Sequence, residues 1–238
     1  MWRELTDLVM PRECLVCGRR LGAEEAHLCL WCQSDLPLSY NWERIRHPMA
    51  DKFNALLEDL RGEEPPFPYV YATSLLLYHH ENPYKRIPQA VKYNDDIRAG
   101  RYFARLLARH MAAQPHWSDV DAVVPVPLHW MRKWRRGYNQ AEVLAGEIAR
   151  TLGVPLRADI LRRCRRTRSQ TQFDAEERRK NVAGAFRVRK DPKAAHLLLV
   201  DDTFTTGATL AACWQVLHRA LGPQVRISIA SLSMVEGF

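Results

Sequence analysis

The chain has 238 residues, 47% of them hydrophobic, and a formal net charge of +8. That apolar content supports a packed core and excludes global disorder, and the length suits one α/β domain with a small appendage. No apolar run reaches the ~18 residues that span a bilayer, and the opening MWRELTDLVMPREC lacks a basic-then-apolar leader pattern, so no membrane insertion and a cytoplasmic location are expected.

Six cysteines are present, and four of them fall within the first 32 residues. Cys14-Leu-Val-Cys17 and Cys29-Leu-Trp-Cys32 form two CxxC pairs separated by eleven residues. Disulfides are rare in a reducing compartment, so the clustering points to metal. Two knuckle turns facing each other give a tetrahedral thiolate site with Zn–S bonds of ~2.3 Å, and four thiolates close the coordination shell, so the site is structural. Gly18 follows the first pair, where such a turn needs positive φ. A redox CxxC needs no second pair; a single iron in the same S₄ shell is the alternative metal. His27 is read as a surface residue, Cys164 as an inert thiol in a basic stretch, and Cys213 as core. A helix-like run over 49–60, with Phe53, Leu56, Leu57 and Leu60 apolar, closes the connector. Residues 1–64 are read as the zinc ribbon and connector, and 65–238 as the main domain.

In the main domain the pattern alternates. Residues 69–78 predict a strand, 97–111 a helix and 121–125 a short buried strand. Residues 139–152 predict the clearest helix, with Asn139 and Glu142 forming a capping box. Residues 196–200 predict a buried strand, 206–221 a helix closed by Gly222-Pro223, and 225–231 a final strand. Alternation of this kind predicts a mostly parallel sheet with helices on both faces and a ligand at the carboxyl ends of the strands.

The run Leu197-Leu-Leu-Val-Asp-Asp-Thr-Phe-Thr-Thr-Gly-Ala-Thr209 carries the chemistry. A helix N-terminus offers free N–H groups and partial positive charge to a phosphate. Thr203, Thr205, Thr206 and Thr209 add hydroxyls, and Gly207 lets the backbone come close to the anion. Asp201 and Asp202 can accept from two ribose hydroxyls, with the sugar or Mg²⁺ separating them from phosphate. An acidic turn before a threonine-capped helix is the plainer reading of either half, but the whole run resembles the loop of type I phosphoribosyltransferases that binds 5-phosphoribosyl-1-pyrophosphate (PRPP). The GxxxxGK[ST] pattern of a P-loop is absent.

Three more blocks accompany it: Val124-Pro-Val-Pro-Leu-His-Trp-Met-Arg-Lys-Trp-Arg-Arg-Gly-Tyr-Asn-Gln140; Arg168-Ser-Gln-Thr-Gln172 with Arg178, Asn181 and Gly184-Ala-Phe186; and Lys92-Tyr-Asn-Asp95. With the four cysteines, they resemble the ComF family of competence-associated proteins over nearly the whole chain. Asn94 stands where that family usually has glycine, and asparagine also tolerates positive φ. The resemblance implies a type I phosphoribosyltransferase-like fold, structural Zn at Cys14, Cys17, Cys29 and Cys32, and PRPP with Mg²⁺ as ligand. It implies a pyrophosphate loop at Val126 and Pro127 with Arg132 and Arg136. Residues 162–181, long, polar and without apolar period, resemble the mobile loop of this fold, with Gln170, Thr171 and Arg178 closing on the ligand.

Basic charge concentrates beside these blocks: four Lys/Arg and no acid in 131–138, and nine against four Asp/Glu in 157–180. Single-stranded DNA is therefore a candidate partner, and the family resemblance implies a DNA-uptake helicase or other competence proteins as further ones. Trp130, Trp134 and Tyr138 lie among the arginines and can stack on bases, although core packing is the commoner fate of such tryptophans. Two function classes remain: a transferase, with a nucleotide-salvage enzyme acting on a small acceptor as its alternative form, and a ligand-sensing module in DNA processing.

Overall fold

A computed structural model describes residues 12–63, 65–93, 96–129, 131, 134, 137–165 and 184–236. In chain order the main elements are helix α1 (Leu30–Ser34), α2 (Pro48–Arg61), strand β1 (Ala72–His79), α3 (Arg86–Tyr93), α4 (Ile97–Ala112), β2 (Ala122–Pro125), α5 (Gln140–Leu152), β3 (Leu161–Arg163), β4 (Phe186–Val188), β5 (His196–Phe204), α6 (Ala208–Leu221) and β6 (Arg226–Glu236).

Four strands form one sheet in the order β1-β6-β5-β2, and every pairing is parallel. Its two faces are legible along β5. Leu198 and Val200 join the core under α4 and α5, while Leu197 and Leu199 join the core under α2 and α6. A strand buried on both faces reads as a continuous apolar run, which is why Leu-Leu-Leu-Val carries no alternation. β3 and β4 make a separate antiparallel pair that flanks residues 166–183. The predicted mobile loop starts two residues too early, since Arg162 and Arg163 are paired in β3.

Local chemistry explains several ends. α2 begins with proline in its first turn, and the His47 ring accepts from the Ala50 N–H at 3.4 Å. Asp96 caps α4 by accepting from Ala99 N–H at 2.8 Å. The capping box expected at α5 does not form. The Asn139 side chain makes no cap and instead donates to the Val126 carbonyl at 3.0 Å. β5 and β6 run longer than the sequence suggests. Asp201 to Phe204 continue the ladder against Ser231, Ser233 and Met234, so the carboxylates sit in the strand end and not in a loop.

The segment before residue 65 packs on both faces. Cys14, Val16, Leu21 and Leu28 share a core with Ile87 and Phe103, while α2 lies against α6 and β1. Residues 37–39 follow the outer edge of β1, with Ser39 N–H on the Leu75 carbonyl and Leu77 N–H on that of Pro37, both at 2.9 Å. No helix among the described residues is long and apolar enough to cross a membrane.

Candidate functional site: an acidic strand end, a phosphate loop and a four-thiol centre

The strand end comes first. Asp201 and Asp202 are half-buried, and Asp202 N–H donates to the Asp201 carboxylate at 2.9 Å. Desolvation, then the neighbouring Asp202 charge, push the Asp201 carboxyl up to about 7, against the pull of Lys92 and Arg163. Lys92, in α3, brings its ammonium to 3.7 Å from the Asp202 carboxylate. Its backbone is held from α5's side: Gln140 Nε2 donates to the Lys92 carbonyl at 3.4 Å, and the Tyr138 hydroxyl donates to the Val91 carbonyl. Tyr138 and Gln140 thus fix the lysine-bearing helix end. Arg163 is buried in β3, with its guanidinium 5.2 Å from the centre of the Phe186 ring.

The loop follows directly. Gly207 has φ +76° and is the N-cap of α6. A Cβ there would lie 2.9 Å from the Phe204 ring and 3.3 Å from Leu56. Both the positive φ and this packing require glycine. Thr205, Thr206 and Thr209 are half-exposed around the helix start, and the Thr206 hydroxyl accepts from Ala208 N–H at 3.4 Å. Thr203 accepts from the Ser233 hydroxyl at 3.4 Å, which ties it into the sheet.

The neighbouring strand end supplies a second loop. Val126 is buried, its N–H donates to the Val200 carbonyl at 2.8 Å, and Pro127 is half-exposed. Parallel pairing of β2 with β5 therefore places the Val126-Pro127 turn beside the Asp201-Asp202 end. Arg132, Arg136, Gln170, Thr171 and Arg178 lie outside the described residues, as do Trp130, Asn94 and Asp95. Trp134 is 85% exposed, where core packing was the commoner expectation.

The four cysteines converge. The thiols of Cys14, Cys17, Cys29 and Cys32 lie within 4.8 Å of one another, and Cys17 and Cys29 are 3.8 Å apart. A tetrahedron with ~2.3 Å metal–sulfur bonds has edges of ~3.8 Å, so the set fits a zinc-sized ion. Gly18 has φ +74°, and its N–H closes the first knuckle on the Cys14 carbonyl at 2.9 Å. Burial pushes the Cys14 thiol up, but backbone N–H groups of Cys17, Cys29 and Val16 outweigh it and bring it down to about 7, which favours a thiolate. His27 is no part of this set; it packs 5.2 Å from the Tyr102 ring. Cys213 is buried, as expected, and Cys164 is exposed.

Residues 138–233 match the family model described as "Phosphoribosyl transferase domain". The chain is 38% identical over 209 residues to the DNA utilization protein YhgH of Salmonella typhimurium, covering 87% of this chain and 84% of that one. The chain belongs to the ComF family. It is also 33% identical to competence protein F of Haemophilus influenzae over 61% of this chain and 66% of that one. ComF membership makes it a phosphoribosyltransferase-like protein with an N-terminal four-cysteine cluster.

Two lysines beside this candidate site were given no role by sequence reasoning. Lys92 stood in a quoted block but had no assigned role. Lys52, on α2, donates to the Thr205 carbonyl at 2.9 Å, and nothing in its local pattern distinguishes it from a solvated lysine.

Proposed function

We propose that the protein binds PRPP with Mg²⁺ at the carboxyl end of β5 and serves in the uptake or processing of single-stranded DNA. The observation that carries the reading is the carboxylate pair near the end of β5, with Asp202 five residues before Gly207, the N-cap of a threonine-lined helix N-terminus. Asp201 and Asp202 would accept from the ribose hydroxyls. Thr205, Thr206, Thr209 and the first N–H groups of α6 would hold the 5-phosphate. The Val126-Pro127 turn, with Arg132 and Arg136, would bind pyrophosphate bidentately. Gln170, Thr171 and Arg178 would close over it. Mg²⁺, when bound, supplies positive charge where the departing pyrophosphate gains negative charge, and hard carboxylate oxygens suit it.

Such a site acts by positioning and by stabilising charge, with no protein nucleophile required. The cysteine centre would hold zinc as a structural ion. The names of the relatives support the DNA role, as does the basic charge in 131–138 and 157–180. A cytoplasmic location and a helicase or other competence protein as partner follow from the same reading. Equilibrium binding of PRPP in the presence of Mg²⁺ tests it. Saturable binding of one PRPP per chain is expected; a metal-replete chain that binds no PRPP would overturn it.

A further inference from the structure

Helix α2 forms the back wall of the phosphate loop. Its residues 52, 53 and 56 share one helical face and meet three successive parts of the loop. Lys52 reaches the Thr205 carbonyl, the Phe53 ring meets Phe204 edge-on at 6.2 Å, and Leu56 lies under Gly207. The Lys52 ammonium is half-buried, 6.0 Å from the centre of the Phe204 ring. Among the described residues no carboxylate lies within 4.0 Å of it. Desolvation lowers its pKa, and Glu236 is the acid whose charge opposes that. With Glu236 beyond ion-pair distance, a partly desolvated cation bonded to a neutral carbonyl has no direct counter-ion. An ammonium carries three donors, and one carbonyl uses one of them.

We propose that Lys52 is a phosphate-binding residue of the site, its charge answered by the phosphate that the Thr205–Thr209 loop holds. The inference rests on the PRPP reading above and extends it to a residue outside the 138–233 match. One side chain would then both hold the loop's carbonyl and neutralise the ligand, so the segment that carries the four cysteines would complete the phosphate site.

The test uses the full metal-replete chain, titrated separately with ribose 5-phosphate and with inorganic pyrophosphate. Lys52→Met and Lys52→Gln are expected to weaken ribose 5-phosphate by about tenfold or more, the effect of one charge-assisted hydrogen bond, and to leave pyrophosphate within about twofold. Lys52→Arg keeps the charge and should restore most of the binding. Wild-type affinity in Lys52→Met, while Asp201→Ala/Asp202→Ala loses the ligand, would overturn the role of Lys52 and leave the PRPP reading standing. Rescue by Lys52→Gln would also overturn it, because an uncharged donor would then suffice. A wild-type chain that binds neither probe would overturn both. If Lys52→Met lowers the melting temperature, the Gln and Arg pair, compared at matched stability, decides the question.

Discussion

At the scale of single residues, Asp201 carries the clearest conflict between folding and function. Burial and the Asp202 charge hold its carboxyl up to about 7, far above an unfolded aspartate. Between those two values the folded chain keeps a proton that the unfolded chain has released, so stability falls as pH rises through that window. Asp201→Asn should therefore raise the melting temperature by a few degrees at pH 8 and by less at pH 5. The sign for binding is opposite. A ligand that needs the carboxylate ionised must release the proton below about pH 7, so PRPP affinity should rise with pH up to about 7 and then flatten. Calorimetry in buffers of different ionisation enthalpy would read that proton release. It should vanish in Asp201→Asn, and an unchanged release would remove Asp201 from the site. The acidic pair was legible in the sequence because it lies between an apolar strand and a small-polar loop. Its strand geometry was not, since only the register against Ser231 and Ser233 shows how far β5 runs.

At the scale of elements, the cysteine centre is fixed from outside its own segment. Arg86 donates to the Val16 carbonyl at 2.8 Å, and the Tyr84 hydroxyl donates to the Cys32 carbonyl at 3.0 Å. Both partners immediately precede or begin α3, the helix that bears Lys92. About one zinc per chain is expected from metal analysis, and removing it with a chelator should lower the melting temperature and expose residues 12–36 to proteolysis. Protein made under reducing conditions without stoichiometric metal would contradict this. The ribbon was readable because ligand spacing is a local property, as were the strands and helices with strong period. What the sequence concealed was contact between distant elements. α3 was missed because it is short, and Lys52 sits on the polar side of the stripe Phe53, Leu56 and Leu57. Only the packing of α2 on the phosphate loop gives that lysine a role. The predicted capping box failed for the same reason: Asn139 was recruited by Val126, thirteen residues earlier in sequence but adjacent in the fold.

At the scale of the whole molecule, charge and ligand must be considered together. A net charge of +8 with an 85% exposed Trp134 in a basic stretch suits a single strand held by phosphate contacts and base stacking. Single-stranded DNA should bind at low salt and weaken steeply with added salt, by a logarithmic slope of about 0.7 for each phosphate neutralised. Trp134→Ala should cost about 1–3 kcal/mol without changing that slope, and Arg135→Ala with Arg136→Ala should reduce it. Absence of DNA binding at low salt would leave the small-molecule transferase as the better account. The central claim is narrower than the DNA role: the end of β5 is a ribose-phosphate site. Its most direct test is a titration of PRPP with Mg²⁺ into the wild-type chain and into Asp201→Ala/Asp202→Ala, with metal content and melting temperature checked in both. Loss of the ribose contacts should weaken binding by several kcal/mol, on the order of a hundredfold or more, in a chain that remains folded. A double variant that titrates like the wild type would contradict the placement of the ligand.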